Sequence, residues 1–174
     1  MRNIIIKPLN GSASITEDHF EVIKAEEGEA VQVPATGKVL VDLATWQANK
    51  AELTNRAQAG ELGVYLNPDD DPESLEGDVN TLKLIAFHFP VFKYGQGYSG
   101  AVLLRTRHGF QGDIRAFGDI WRDQCFYLAR CGFTQFDLKE GKSLENALEA
   151  FTEFTTPYQT SADGNLPIFS RRVA

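Results

Sequence analysis

The most chemically suggestive pattern in the sequence is a G-x-G-x-x-G, Gly95-Gln96-Gly97-Tyr98-Ser99-Gly100. In dinucleotide-binding proteins such a turn joins a strand to a helix, and an acid about twenty residues on, here Asp119, binds the ribose. In this chain Pro90–Tyr94 separates the predicted strand from the first glycine. We therefore favour a flexible loop leading into a helix. A simple anion held by the free amides of Gly97 to Ser99 is the functional alternative.

A second candidate group consists of Arg115, Asp119, Arg122 and Asp123. Asp119 and Asp123 are four residues apart at a predicted helix start, so they share one face, where acids suit the helix dipole. Arg115 falls inside a predicted buried strand, where a guanidinium needs a partner. Either it pairs internally with Asp119 or Asp123, or it faces the rim of the sheet and holds an anionic ligand with two hydrogen bonds.

The remaining reactive side chains favour structural roles. His88 lies near the end of an apolar strand, and we expect a hydrogen-bonded core histidine rather than a catalytic base. In Asp69-Asp70-Asp71 the last carboxylate is expected to cap a helix and the others to lie in a solvated turn, so no metal site is predicted. Cys125 and Cys131 are expected to be buried, inert thiols. The sequence contains neither a nucleophile elbow nor a phosphate-binding P-loop.

The elements that must position these residues alternate between strand and helix after about Gly37. Apolar runs predict the strands Lys38–Val41, Leu62–Leu66, Thr81–Phe89, Asp113–Phe117 and Phe133–Leu138. Capping residues and glycine stops predict helices over Leu43–Gln58, from Pro72, over Ser99–His108, from a cap at Asp119 to Cys131, and over Leu144–Phe154.

Four successive strand–helix units predict an α/β fold with a parallel sheet, either an open sheet or a partial barrel. In both, ligand contacts lie at the carboxyl ends of the strands. Four segments should meet at that rim: Asn67–Asp71, His88–Tyr94, Gly118–Arg122 and Asp137–Lys139.

The chain divides into three parts by composition. A short β-rich segment, residues 1–37, precedes an α/β domain over residues 38–154, and residues 155–174 form a C-terminal tail. The β-like runs of the first segment are Ile4–Leu9, Phe20–Ala25 and Ala30–Pro34.

Composition excludes several classes of function. The chain has 174 residues and a formal charge of -7, which opposes binding to nucleic acid or to an anionic membrane surface, since both need a basic face. No stretch approaches the roughly 20 apolar residues of a membrane helix, and the N-terminus lacks the apolar core of a signal peptide. We therefore expect a cytoplasmic protein.

A long ordered set of residues resembles a bacterial family known as domain of unknown function 934. The matching positions are Phe89-Pro90, Phe92, Gly95, Gly97-Tyr98-Ser99, Leu103-Leu104-Arg105, Gly109-Phe110, Gly112, Arg115-Ala116, Gly118-Asp119, Arg122-Asp123-Gln124, Phe126 and Arg130-Cys131-Gly132-Phe133. Weaker similarity extends the resemblance over about residues 38–154. The family loop reads Asp-Gly-Arg-Gly-Tyr-Ser, so Tyr94 and Gln96 replace an acid and a base here.

Members of that family are commonly labelled probable oxidoreductases of sulfite reduction, so the resemblance implies a role in assimilatory sulfur metabolism. We expect an accessory protein that binds sulfite reductase, its electron donor or a small anion such as sulfite. The expected ligands are Gly95, Gly97, Tyr98, Ser99, Arg115 and Arg122, with Asp119 and Asp123 orienting the arginines.

Two alternatives stay open: an oxidoreductase with a flavin or nicotinamide cofactor, although no residue shows one, and a non-catalytic interaction module that uses the β-rich start or the Tyr158–Arg172 tail. Whether the chain is an enzyme is left open, and a homo-oligomer is compatible with the sequence.

Overall fold

The structure is a computed structural model that describes residues 2–24, 31–164 and 169–170. Its centre is an eight-stranded β-sheet. In chain order the strands are β1 (Arg2–Ile6), β2 (Ser14–Asp18), β3 (Phe20–Val22), β4 (Lys38–Asp42), β5 (Leu62–Leu66), β6 (Leu84–Phe89), β7 (Asp113–Gly118) and β8 (Gln135–Asp137).

The sheet is mostly parallel and nearly closes into a barrel. Strands β3 to β8 are neighbours in chain order and all run in the same direction. The N-terminal strands extend it, because β1 pairs antiparallel with β8 and β2 pairs antiparallel with β1. The two edge strands, β2 and β3, are separated in the chain by His19 alone, so the edges lie side by side. The predicted parallel α/β sheet is confirmed, and its form is the barrel-like one.

Side chains alternate between the two faces of this sheet, as strand geometry requires. The outer face meets the helices in a large apolar core that includes the fully buried Trp46. The inner face forms a second, smaller apolar cluster. Its members are Leu40, Tyr65, Leu84, Ala86 and Phe117, with Phe20 and Val22 packed against them.

Four α-helices and one 3-10 helix cover the outer face in the described part of the chain. They are α1 (Leu43–Gln58), the 3-10 helix Pro72–Asp78, α2 (Gln96–Thr106), α3 (Arg122–Arg130) and α4 (Leu144–Ala150). Three of the predicted caps are confirmed. The Asp42 side chain accepts from the Thr45 amide at 2.6 Å, Asp71 from the Glu73 amide at 2.9 Å and Ser143 from the Asn146 amide at 3.1 Å.

Three predicted helix boundaries are wrong. Helix α2 begins at Gln96 rather than Ser99, so two glycines lie inside it. Helix α3 begins after Trp121, not after Asp119, because the Gln124 side chain accepts from the Trp121 amide at 2.9 Å and closes the first turn. Helix α4 ends at Ala150, and the chain then continues without regular helix toward Phe154.

Two features of the N-terminal segment also differ from expectation. Strand β2 is polar and was not predicted from the sequence. Of the predicted run Ala30–Pro34, Ala30 lies outside the described residues and residues 31–34 form no strand.

The described part of the C-terminal tail lies against α3. Arg130 Nε donates to Asp163 at 2.9 Å, and its Nη2 donates to the Gln159 carbonyl. Just before the tail begins, the ring of Phe154 lies 5.1 Å between centroids from that of Phe126 on α3. This part of the tail therefore covers the outside of the barrel, away from the inner cluster.

Candidate functional site

The glycines of the G-x-G-x-x-G serve helix packing in this structure. Gly95 caps α2, and a Cβ added at Gly97 would lie 2.6 Å from the Phe89 ring. A Cβ at Gly100 would lie 2.6 Å from the Phe87 ring. Both contacts are shorter than real Cβ atoms tolerate, so these glycines let α2 lie directly on β6.

Tyr98 and Ser99 occupy the next turns of that helix. The Tyr98 ring contacts Phe89, with centroids 5.6 Å apart, and its hydroxyl accepts from Gln124 Nε2 at 3.3 Å. Burial raises the pKa of Tyr98 above its ordinary value. Tyr98 therefore joins α2 to β6 and α3.

Arg115 lies inside the barrel and is 1% exposed. Its Nη1 and Nη2 donate to the Asp18 carboxylate at 3.0 and 2.8 Å, and its Nε donates to Gln135 Oε1 at 2.9 Å. Its guanidinium also stands over the Phe20 ring at 5.3 Å. We call Arg115, Asp18, Gln135 and Phe20 the inner layer. All three nitrogens of this guanidinium therefore donate to other parts of the fold.

The predicted pairing of Arg115 with Asp119 or Asp123 is wrong, because the side chain points into the barrel while both acids lie beyond the end of β7. Asp119 Oδ1 instead accepts from Trp121 Nε1 at 2.8 Å and from Lys139 Nζ at 2.9 Å. These hydrogen bonds, that of Lys139 first, lower the pKa of Asp119.

Arg122 turns toward α4. Its Nε donates to the Asn146 carbonyl at 3.0 Å, and its Nη2 lies 3.8 Å from carboxylate oxygens of Glu149 and of Glu153. Asp123 lies in the first turn of α3. The structure thus distributes the sequence-predicted ligands over the α2 start, the barrel interior and the α3–α4 contact, and does not gather them around one space.

A cavity at the carboxyl ends of the parallel strands has a volume of about 620 Å³. We call it the mouth cavity. It is lined by the end of β3 and by Lys24, by β6 and β7 near their ends, by β8 with the loop that follows up to the start of α4, and by the start of β1. Its lining side chains include Arg2, Val22, Lys24, His88, Phe117, Asp137, Leu138, Lys139, Glu140, Lys142 and Leu144.

Three of the four predicted rim segments contribute to this cavity. His88 comes from the end of β6, Gly118 from the end of β7 and Asp137–Lys139 from β8. The fourth reaches it indirectly, because Asn67 Oδ1 lies 3.1 Å from His88 Nδ1.

The described residues that line the mouth cavity carry a net positive charge, although the chain carries -7 overall. Among them are four cationic side chains and two carboxylates. Asp137 is 3% exposed and is paired with Arg2, and Lys139 is paired with Asp119. Lys24 and Lys142 have no carboxylate partner among the residues that the structure describes.

Trp121 organises the lysines of the β8 loop. Lys142 Nζ lies 3.3 Å from the centroid of its ring and Lys139 Nζ 5.7 Å from it. The indole N–H is directed to Asp119, which also binds Lys139. A cation over an indole face is held without loss of its charge.

His88 is half-buried in the wall of the mouth cavity and stacks on Phe117, with ring centroids 4.9 Å apart and an interplanar angle of 16°. Because an amide oxygen only accepts, the contact with Asn67 makes Nδ1 the donor and leaves Nε2 as the acceptor in the neutral ring. Burial first, and the charge of Lys24 second, lower the pKa of His88. The expected hydrogen-bonded histidine is present, and it also borders a cavity.

The sequence reasoning missed three of the four cations. Arg2 and Lys24 belong to the N-terminal segment, whose pairing with the rest of the sheet has no local signal. Lys142 lies three residues beyond the last predicted rim segment. Lys139 was identified because it follows the end of a strand. Lys24 follows the end of β3 in the same way.

The other reactive side chains take structural positions. Asp70 Oδ2 accepts from the Asn67 amide at 2.6 Å within a turn. Cys125 and Cys131 are buried and free, and burial raises the pKa of Cys125 to about 12. Within the described ranges no cluster of three or more His, Cys, Asp or Glu side chains is placed to hold a metal ion. The same part of the chain contains no helix that is both long and apolar enough for a membrane crossing.

Comparison with known proteins gives one match. The model of a family described as "Bacterial protein of unknown function (DUF934)" matches residues 63–169, which is more than half of the chain. No curated protein and no solved structure matches the chain significantly.

Proposed function

The chain belongs to the DUF934 family of bacterial proteins, and on that premise we propose that it binds a small anion in the mouth cavity, as an accessory protein of assimilatory sulfite reduction. The observation that carries the binding proposal is the convergence of Arg2, Lys24, Lys139 and Lys142 on one cavity of an acidic chain. The pathway rests on the sequence resemblance alone.

The free charges favour binding at the mouth over the sites expected from the sequence. Lys24 and Lys142 lack carboxylate partners within the described residues, so an anion bound to them would displace no carboxylate of that part of the chain. Arg115, by contrast, would have to leave Asp18 first, and an unpaired buried carboxylate is costly. We therefore place the anion at the lysines and not at Arg115.

A thermal-shift titration tests the binding. Millimolar sulfite or sulfate should raise the melting temperature, because a ligand that binds only the folded chain stabilises it. The variant with both Lys24→Gln and Lys142→Gln should lose most of that rise. The matched control is Lys83→Gln, which removes the charge of an exposed lysine just before β6, at the opposite end of the barrel. An equal rise in all three proteins would contradict the proposal.

A growth experiment tests the pathway. A strain that lacks this protein should grow normally with sulfide as the sulfur source and poorly with sulfate. Restoration of growth by the wild-type chain, but not by the double lysine variant, would connect the cavity to the phenotype. Normal growth of the deletion strain on both sources would remove the assimilatory role and leave the binding proposal to the titration.

A second candidate function is contact with a protein partner at the same rim. Three apolar side chains are exposed there: Phe92 at 65%, Val91 at 42% and Trp121 at 41%. The two loops that carry them are in contact, because the Asp119 amide donates to the Phe89 carbonyl at 2.6 Å. Exposed apolar side chains grouped in this way are typical of interaction sites. The resemblance identifies sulfite reductase or its electron donor as the partner to test.

Co-purification separates this candidate from binding by the tail. Phe92→Ser should release sulfite reductase subunits from the tagged chain, whereas Tyr158→Ser, at a side chain 73% exposed in the tail, should retain them. Release by the Tyr158 variant alone would assign the contact to the tail. Retention by both variants would contradict a rim contact.

A further inference from the structure

We propose that the mouth cavity takes an organic anion, with one anionic group joined to an apolar or aromatic body, in preference to an inorganic oxyanion. The inference rests on the proposed function, since it specifies the class of anion that the same cavity binds. Three properties of the cavity carry it: its volume, its apolar wall and the hydrogen-bonding state of His88.

The first property is volume. The mouth cavity measures about 620 Å³, which falls within the range of about 300–1,000 Å³ found for pockets that enclose drug-sized ligands. Sulfite or sulfate would occupy a small fraction of that space and would leave most of the wall in contact with water. A cavity evolved for such an ion alone would need only the lysines and their immediate surroundings.

The second property is the apolar wall. Val22, Phe117, Leu138 and Leu144 line the cavity between the charged residues. Leu138 is 9% exposed and Phe117 5% exposed, and they belong to the outer core and to the inner cluster respectively, so both apolar clusters of the fold stand behind this wall. An inorganic ion gains nothing from these side chains, whereas a hydrocarbon body that covered them would release the water against them.

Two of the apolar wall residues lie in strands, whereas the three lysines lie in segments that follow strands. Val22 and Phe117 belong to β3 and β7, while Lys24, Lys139 and Lys142 follow the ends of β3 and β8. A ligand with its body against the strands and its anionic group among the loops satisfies both sets at once.

The third property is a hydrogen-bond acceptor. His88 donates from Nδ1 to Asn67 Oδ1 at 3.1 Å, so Nε2 of the neutral ring accepts. Its lowered pKa, caused by burial and by Lys24, supports the neutral form at pH 7. The ring is held against Phe117 by stacking. A ligand that carries a hydroxyl or N–H donor on its body would meet this nitrogen.

Calorimetric titration with three related anions tests the inference on the full chain. Sulfate, methanesulfonate and benzenesulfonate are compared at constant ionic strength. Methanesulfonate and benzenesulfonate carry the same anionic group and differ in the apolar body. The ratio of their dissociation constants therefore measures the contribution of the apolar wall to binding. We expect benzenesulfonate to bind at least about tenfold more tightly than methanesulfonate, the size expected for burying an aromatic ring.

Two variants assign that preference to the wall. Val22→Thr keeps the side-chain shape and replaces a methyl group with a hydroxyl, so it should weaken benzenesulfonate more than methanesulfonate and thereby reduce the ratio of the two affinities. Leu144→Ser, at the wall residue that begins α4, should act in the same way, and it serves if Val22→Thr proves unstable. Lys24→Gln should weaken both sulfonates by the same factor and leave their ratio unchanged.

The outcomes separate this inference from the proposed function. Equal affinity for all three anions, or a ratio that both wall variants leave unchanged, would overturn the organic-anion inference while anion binding stood. Absence of binding by all three anions would contradict the proposed function itself.

Discussion

Two adjacent layers of the same barrel interior carry charge, and they use it in opposite ways. In the inner layer, Arg115 and Asp18 have side chains 2% and 3% exposed and are joined by two hydrogen bonds. In the mouth cavity, Lys24 and Lys142 have no carboxylate partner within the described chain, and His88 keeps one ring nitrogen as an acceptor. A buried charge that is fully paired supports the fold, whereas an accessible charge without a partner is available to a ligand.

The inner layer also explains how the sheet closes. Arg115 belongs to β7, Asp18 to β2 and Phe20 to β3, and these last two strands are the edges of the sheet. One guanidinium therefore contacts both edges from the inside, by an ion pair on one side and by its position over the Phe20 ring on the other. In the mouth cavity, the ion pair of Arg2 with Asp137 joins β1 to β8, two strands that are already hydrogen-bonded neighbours.

The largest expected effect is on the inner layer. Arg115→Ala should lower the free energy of unfolding by about 3–5 kcal/mol, because Asp18 would be left charged and unpaired in the interior. Denaturant unfolding measures the loss. The double variant Arg115→Met with Asp18→Leu should recover much of it, since it removes both charges.

A stable Arg115→Ala variant that has lost anion binding would reverse the comparison. In that case Arg115 would belong to the ligand site, as one alternative from the sequence held, and the inner layer would not be purely structural.

The next largest effect concerns the glycines at the start of α2. Gly100→Ala should destabilise the chain by about 1–3 kcal/mol through overpacking, although alanine is the better helix former. The reason is that the new methyl would lie 2.6 Å from the Phe87 ring and 2.9 Å from Pro72. Gly77→Ala, where no atom lies within 4 Å, is the control and should be nearly neutral.

A measurement of anion affinity tests whether these glycines serve packing alone. The affinity should be unchanged in the Gly100→Ala variant, measured by calorimetry at a temperature where the protein is folded. A loss of anion affinity without a loss of stability would show that these glycines contribute to ligand binding rather than to helix packing.

A smaller effect is expected at Trp121, which holds Lys139 and Lys142 at the mouth. Trp121→Leu should weaken anion binding about two- to fivefold, the size of losing an exposed cation–π contact, with little change in stability. Tyr127→Leu, at another exposed aromatic residue on α3, should leave affinity unchanged. Equal anion affinity in the Trp121 variant and the wild type would show that the indole ring is not needed to position the two lysines.

The smallest effect is a pH dependence from His88. Its folded-state pKa lies below the ordinary 6.5, so the unfolded chain binds a proton more readily. The stability linked to this group is therefore present above about pH 6.5 and is lost as the pH falls from there through the folded-state pKa. His88→Gln should flatten this part of the curve of unfolding free energy against pH, and His19→Gln, at an exposed histidine, should not. Identical curves for all three proteins would contradict a neutral His88.

The sequence predicted the elements whose signals are local. Helix α1 and strand β5 have the predicted bounds, because Asp42 caps the helix within three residues and the strand is a continuous apolar run. The parallel order followed from repeated strand–helix units. Strand β2 escaped prediction because its residues are polar, and its place is set by pairing with β1.

The site was less predictable because its parts are distant in the sequence. Asp18 and Arg115 are 97 residues apart, so the partner of this arginine has no local signature. Arg2 and Lys24 reach the mouth only because the N-terminal strands join both edges of the parallel sheet. Three of the four predicted rim segments do line one cavity, but the rim prediction was confined to the strands after residue 37 and left out the N-terminal β-like runs.

The central claim is that the anion site is the mouth and not the glycine turn with Arg115. Backbone amide shifts in an NMR titration of the labelled chain with benzenesulfonate test it most directly. We expect the largest shifts at residues 22–24, 88, 117–118 and 137–144, and none beyond background at residues 95–99 or at Arg115. Shifts concentrated at residues 95–99 and Arg115, with the mouth unaffected, would contradict the account.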